Sequence, residues 1–204
     1  MALLDERSED ALTGGRGGDH LILWYLSDRT RARCIASFLN AGGDSDDVLV
    51  LMLPLRELGD LERSMKRESV SIEKMLGLGK LAVFASEELL PCKRNKCVKL
   101  HDTLEELRGM VKTDGRGLRI VGRLAPVLFE RGDVEGALAV ERTADAALGN
   151  ARLLCLYDGR RMTDIDSGPG RLIDDIHTHT LREDKDGRVR LEKTRRRRLT
   201  RRSH

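Results

Sequence analysis

Three stretches of this sequence hold residues whose types and spacing could do chemistry. The first is Leu26-Ser27-Asp28-Arg29-Thr30-Arg31, which follows the apolar run His20–Tyr25. A phosphate-binding loop would sit at such a strand-to-helix turn. It needs glycines so that backbone N–H groups converge, a Lys for the phosphates and a hydroxyl for Mg²⁺. The turn has no glycine and no Lys before a hydroxyl residue, and Asp28 sets a like charge against any phosphate. Conventional ATP or GTP hydrolysis is not expected, although Arg29 and Arg31 could grip another anion at a helix N-terminus. The second stretch is Cys92-Lys93-Arg94-Asn95-Lys96-Cys97 with His101, a C-x4-C-x3-H spacing. Three readings stay open for it. One is a zinc centre, for which no fourth ligand is evident locally. Another is a reversible disulfide, because the flanking cations lower thiol pKa values. The third is an inert loop. The last stretch is the tail, where Arg195, Arg196, Arg197, Arg198, Arg201 and Arg202 could neutralise nucleic-acid phosphates without reading sequence. It has no aromatic residue to stack on bases.

Single residues add candidates, each with a bland counterpart. Cys155 lies between Leu154 and Leu156, where a buried core thiol competes with a ligand or redox role. Tyr157 and Asp158 close the same apolar run, and Asp158 either binds a ligand or caps the following turn. Glu141 falls within a helical pattern, where it is solvated, ion-paired or touching ligand. His177 and His179 suit either metal or a hydrogen-bonded anchor between helix and strand. No Ser/His/Asp or Cys/His set stands at a defined spacing, so a hydrolase is not indicated.

The elements that must position these residues are legible as alternation. Apolar runs of strand length appear at His20–Tyr25, Val48–Leu53, Lys80–Phe84, Leu118–Gly122 and Arg152–Tyr157, the pattern of strands buried on both faces. Helical spacing predicts helices between them. One starts at Ser27 or Asp28 and closes at Gly42-Gly43, and another opens at Pro54 with Leu55, Leu58, Leu61 and Met65 on one face. Further helices are expected over Leu100–Lys112, from Asp133 to about Leu148, and over Ile165–His177. The expected fold is α/β, a mainly parallel sheet with helices on both faces. Ligands of such sheets bind beyond the carboxyl ends of the strands. That rule selects Tyr25–Arg29, Leu53–Arg56, Ala85–Glu87, Arg123 and Asp158–Arg161, and the ligand site expected at this edge is Trp24, Tyr25, Asp28, Arg29, Arg123, Tyr157 and Asp158.

Charge divides the 204 residues unevenly. Residues 182–204 carry 11 Lys and Arg against 4 Asp and Glu, which leaves 26 against 30 in the rest. The expected organisation is a flexible Gly-rich leader over 1–19, a folded body over 20–181 and a basic, unstructured tail over 182–204. No apolar run approaches the roughly 20 residues a membrane span needs, and no secretory signal is evident. Four irregularly spaced cysteines do not read as a disulfide framework. A cytoplasmic location is the simple expectation.

From His20 through Val48–Leu53 the chain resembles the RecA-like frame of KaiC proteins with its nucleotide loop replaced. Leu118–Gly122, the helix bearing Glu141, Leu154-Cys155-Leu156-Tyr157-Asp158 and Thr178-His179 resemble the MEDS domain, the sensory domain of methanogens and methylotrophs named for the regulator DcmR. The resemblance covers roughly Asp19 to Leu181, and the Leu-Cys-Leu-Tyr-Asp string with the later Thr-His is its most distinctive part. Thr180 stands where a Pro commonly follows the His, and the basic tail is not a family feature. The resemblance implies a sensor of small, hydrocarbon-derived molecules that is often fused to signalling modules. The expectation is a non-catalytic domain without cofactor that binds a small molecule at the strand edge, His179 included, and modulates a regulatory protein partner. A homo-oligomer is plausible for such a frame. A nucleic-acid-associated protein using the tail and an unconventional nucleotide-binding protein are the alternatives.

Overall fold

The computed structural model describes residues 3–15, 17–90, 97–161 and 168–194. Its strands are β1 (Leu3–Leu4), β2 (His20–Tyr25), β3 (Val48–Leu53), β4 (Leu81–Ala85), β5 (Leu118–Gly122), β6 (Arg152–Asp158), β7 (His179–Glu183) and β8 (Arg188–Thr194). They form one sheet in the order β1-β8-β7-β2-β6-β5-β3-β4. Every pairing is parallel except β7 with β8. The helices are α1 (Glu6–Thr13), α2 (Asp28–Asp44), α3 (Leu55–Lys66), α4 (Ile72–Gly77), α5 (Ser86–Leu89), α6 (Val98–Asp114), α7 (Leu124–Glu130), α8 (Val134–Ala147) and α9 (Gly168–Ile176).

Side chains alternate across the sheet and build two cores. Leu21, Leu23 and Tyr25 of β2 face α1, α2, α3 and α4. Ile22 and Trp24, with Leu153, Cys155 and Tyr157 of β6, face α6, α7, α8 and α9. Both faces are covered because the central strands are apolar on both sides, which is the parallel-sheet signature. Ser27 caps α2 by accepting from Thr30 N, and Asp133 caps α8 by accepting from Gly136 N.

Several expectations need correction. Residues 1–19 are not a plain flexible leader, since α1 forms over Glu6–Thr13 and Leu12 is fully buried. The basic tail is not unstructured from residue 182, because β7 runs to Glu183 and β8 pairs with both β7 and β1. In Arg188-Val-Arg-Leu-Glu-Lys-Thr194, apolar and charged residues alternate, and Val189 is buried while Arg188 is exposed. This is a strand with one wet face, antiparallel to β7 and parallel to β1. Of the helix expected over Ile165–His177, the described residues form α9 over Gly168–Ile176, and residues 165–167 lie outside them. Leu55 is exposed and does not belong to the buried face of α3.

Gly42-Gly43 does not end α2, which runs on to Asp44. Gly42 is there for space, because a Cβ would come 2.6 Å from both Arg119 Cδ and Leu49 Cδ2. Ala is the better helix former by about 1 kcal/mol, but overpacking costs typically about 1–3 kcal/mol. Gly42→Ala is therefore expected to destabilise the fold, seen as a lower denaturant midpoint at unchanged m-value. A midpoint at or above that of the parent would show that Arg119 and Leu49 yield freely.

Candidate functional site

The residues expected at the carboxyl edge are divided between the two faces of the sheet, and His179 lies toward the other end of the strands. Tyr25 and Arg123 meet there, with Arg123 Nη1 donating to Tyr25 Oη at 3.1 Å and to Leu156 O at 3.3 Å. The Arg123 guanidinium also pairs with Glu57 at 2.8 Å and Glu130 at 2.9 Å. Asp158 is held by Arg160 at 2.7 Å and Arg161 at 3.4 Å. Burial alone would raise its carboxyl, but the Arg160 contacts outweigh that and lower it. Asp28 and Arg29 are exposed, and Asp28 lies 3.4 Å from Arg160. Protein ion pairs thus occupy this edge.

The vacated phosphate turn is also filled from within. The Glu183 carboxylate accepts from Leu26 N at 2.5 Å, Ser27 N at 2.9 Å, Ser27 Oγ at 2.8 Å and Thr30 Oγ1 at 2.6 Å. Converging N–H groups and hydroxyls at a helix N-terminus make an anion seat. Here β7 supplies the anion, and Glu183 is buried.

Three other expected residues lie elsewhere. Trp24 and Tyr157 turn away from the edge into the layer under α8 and α9, with ring centroids 4.8 Å apart, and Trp24 Nε1 donates to Asp174 Oδ1 at 2.7 Å. His179 pairs in register with Leu21 near the start of β2, so it sits toward the opposite end of the strands from the edge where it was expected. It is half-buried and contacts Thr178 Oγ1 at 2.9 Å. Cys97 is disulfide-bonded, which removes its sulfur from the C-x4-C-x3-H metal set. His101 is exposed on α6 beside Asp102. Cys92 and the arginines from 195 to 202 lie outside the described residues.

A different constellation is assembled under α8. His20 opens β2, and Cys155 of β6 pairs with Ile22 on the same sheet face. Glu141 of α8 lies over them, and His177 follows α9. All four are buried. Glu141 Oε2 is 3.2 Å from His20 Nε2, 3.5 Å from His177 Nε2 and 3.4 Å from Cys155 Sγ. Cys155 Sγ is 3.4 Å from His20 Nε2, and the two imidazole centroids are 4.1 Å apart. Tyr157 Oη donates to Glu141 Oε1 at 2.6 Å.

Burial would raise the Glu141 carboxyl, but His177 and His20 beside it hold it well below the usual carboxylate range. Burial opposes charge on His20, yet Asp145 and Glu141 outweigh it and raise its pKa. Burial lowers His177, and the neighbouring His20 lowers it further. Burial pushes the Cys155 thiol and the Tyr157 phenol well up, with Glu141 adding to both. Cys155 is therefore a poor free nucleophile as it stands.

A narrow apolar cavity of about 20 Å³ adjoins this cluster, room for about one small molecule the size of water. Met52, Leu100, Leu104, Ala144 and Leu153 are among its walls, and Glu141 and Cys155 line it too. Glu141, Cys155 and His177 had each been singled out from sequence, whereas His20 had been read only as a strand residue. No spacing rule could have joined it to Cys155, since the two are 135 positions apart.

Comparison with known proteins agrees with this architecture. The KaiC-like protein of the hyperthermophilic archaeon Pyrococcus horikoshii has a similar fold, with a TM-score of 0.61, 19% identity, 97% of this chain covered and 88% of that one. No match was found among curated proteins. Residues 19–180 match the model of the methanogen/methylotroph, DcmR sensory domain. That match spans most of the folded body, and the chain belongs to the MEDS family.

Proposed function

We propose that this sensory domain takes up a small, mainly apolar molecule in the cavity under α6, α7 and α8, with Glu141 and Cys155 in its lining. The observation that carries the reading is the cavity itself, where a buried carboxylate and thiol join apolar walls. So small a space admits only a molecule close to water in size, and few polar groups would fix its orientation. Occupancy is transmitted to a regulatory partner through movement of α8, the helix that carries Glu141. The reading needs no catalytic step. At the carboxyl edge, Arg123 and Asp158 are held in ion pairs.

Ala144 lies on the cavity wall, so Ala144→Val fills space of about one water and is expected to abolish uptake. Methanol, a probe close to water in size, should shift the indole N–H resonance of Trp24 and raise the melting temperature of the parent but not of the variant. Shifts of equal size in both proteins would sink the reading.

The basic run Arg195–Arg202 supports a second reading, binding of nucleic acid. Deleting residues 195–204 is then expected to remove salt-dependent DNA or RNA binding. If the parent shows none at low salt, that role is excluded.

A further inference from the structure

We propose that His20, Glu141, Cys155 and His177 form a four-ligand site for a divalent transition-metal ion of the zinc class. The donor set, two imidazoles, a carboxylate and a thiol, is one that zinc accepts. The four donor atoms all lie within 4.8 Å of one another. Ligands about 2.0–2.3 Å from a tetrahedral ion stand about 3.3–3.8 Å apart. Four of the six separations here are 3.2, 3.4, 3.4 and 3.5 Å, close to the edges of such a tetrahedron.

The surroundings orient each donor. His177 Nδ1 donates to Ile173 O at 2.8 Å, which leaves the lone pair on Nε2 turned toward the cluster. That buried Nε2 makes no hydrogen bond. On the other imidazole, Nδ1 lies 3.4 Å from Asp145 Oδ1, a carboxylate–histidine pair that directs Nε2 inward. Tyr157 Oη occupies Glu141 Oε1, leaving Oε2 for the cluster. Glu141 and Asp145 are one helical turn apart on α8, so one helix face supplies both a ligand and a support. A 2+ ion with one carboxylate and one thiolate is neutral overall, which suits complete burial. On binding, the thiol proton leaves to solvent and the sulfur lone pair becomes the metal bond.

The assignment is separable from the ligand reading, because metal content is measured without any organic ligand. The full chain would be purified under reducing conditions, stripped with chelator and titrated with Zn²⁺ and Co²⁺. About one ion per chain is expected, and Co²⁺ should give tetrahedral visible bands with a thiolate-to-cobalt charge-transfer band. Cys155→Ser should lose the charge-transfer band. Asp145→Asn changes a partly exposed side chain and keeps all four ligands, and it should weaken metal affinity roughly 10- to 100-fold. Absence of saturable binding in the folded parent would overturn the proposal. So would a charge-transfer band that survives Cys155→Ser but vanishes in Cys97→Ser, or an Asp145→Asn affinity equal to that of the parent.

Discussion

Replacing Glu183 by Ala should lower the melting temperature by about 6–12 °C and make stability depend on phosphate. The carboxylate satisfies two backbone N–H groups and two hydroxyls at the start of α2. Ser27 Oγ and Thr30 Oγ1 can still pair at 3.0 Å, but the two N–H groups are left without their acceptor. A stranded buried donor costs about 1–3 kcal/mol; these two are part-buried, so a total loss of about 3 kcal/mol is expected. For a chain of this size each kcal/mol shifts the midpoint by about 2–4 °C. The emptied seat has the donors of an anion site, so inorganic phosphate or sulfate should restore part of the loss in the variant and leave the parent unchanged. Calorimetry with and without phosphate is the check. A variant within about 1 °C of the parent would show that Glu183 is a bystander.

Glu141→Ala should be the more damaging change. It takes the acceptor from the Tyr157 hydroxyl and the Cys155 thiol and removes the only carboxylate in contact with both His20 Nε2 and His177 Nε2 among the described residues. Removing one partner from a buried charged network costs about 3–5 kcal/mol, against a total stability of about 5–15 kcal/mol for a domain. The variant should be partly unfolded at growth temperature or aggregate on purification. Urea unfolding of Glu141→Gln, which keeps the shape, should fall between Ala and the parent. Equal midpoints for all three would mean that the network contributes nothing to stability.

The contrast between these two residues shows what could be read from sequence. Strands buried on both faces announce themselves as apolar runs, so β2, β3, β4, β5 and β6 were legible, and with them the alternation and the sheet type. β8 was not, because a tally of charge hides the period-two alternation that Val189 and Leu191 give the basic tail. Glu183 fell inside the same tally, so the internal anion at the α2 start was missed although the loss of the phosphate loop was plain. Glu141, Cys155 and His177 carried chemistry by type. Their meeting depends on β2 lying beside β6, a pairing of strands more than 120 residues apart that no local pattern encodes.

That same placement bears on how the protein is made. β2 is finished by Tyr25, yet both of its neighbours come late, β6 at Arg152–Asp158 and β7 at His179–Glu183. Synthesis at about 5–20 residues per second leaves roughly 7–27 s between Tyr25 and Asp158 emerging. Through that interval His20–Tyr25, an apolar strand with both edges unpaired, has only α2 and other early segments for cover. A ribosome stalled before residue 152 would present a sticky, half-built sheet to chaperones, and the buried His20 would wait without Cys155, Glu141 or His177 until the last third of the chain arrived.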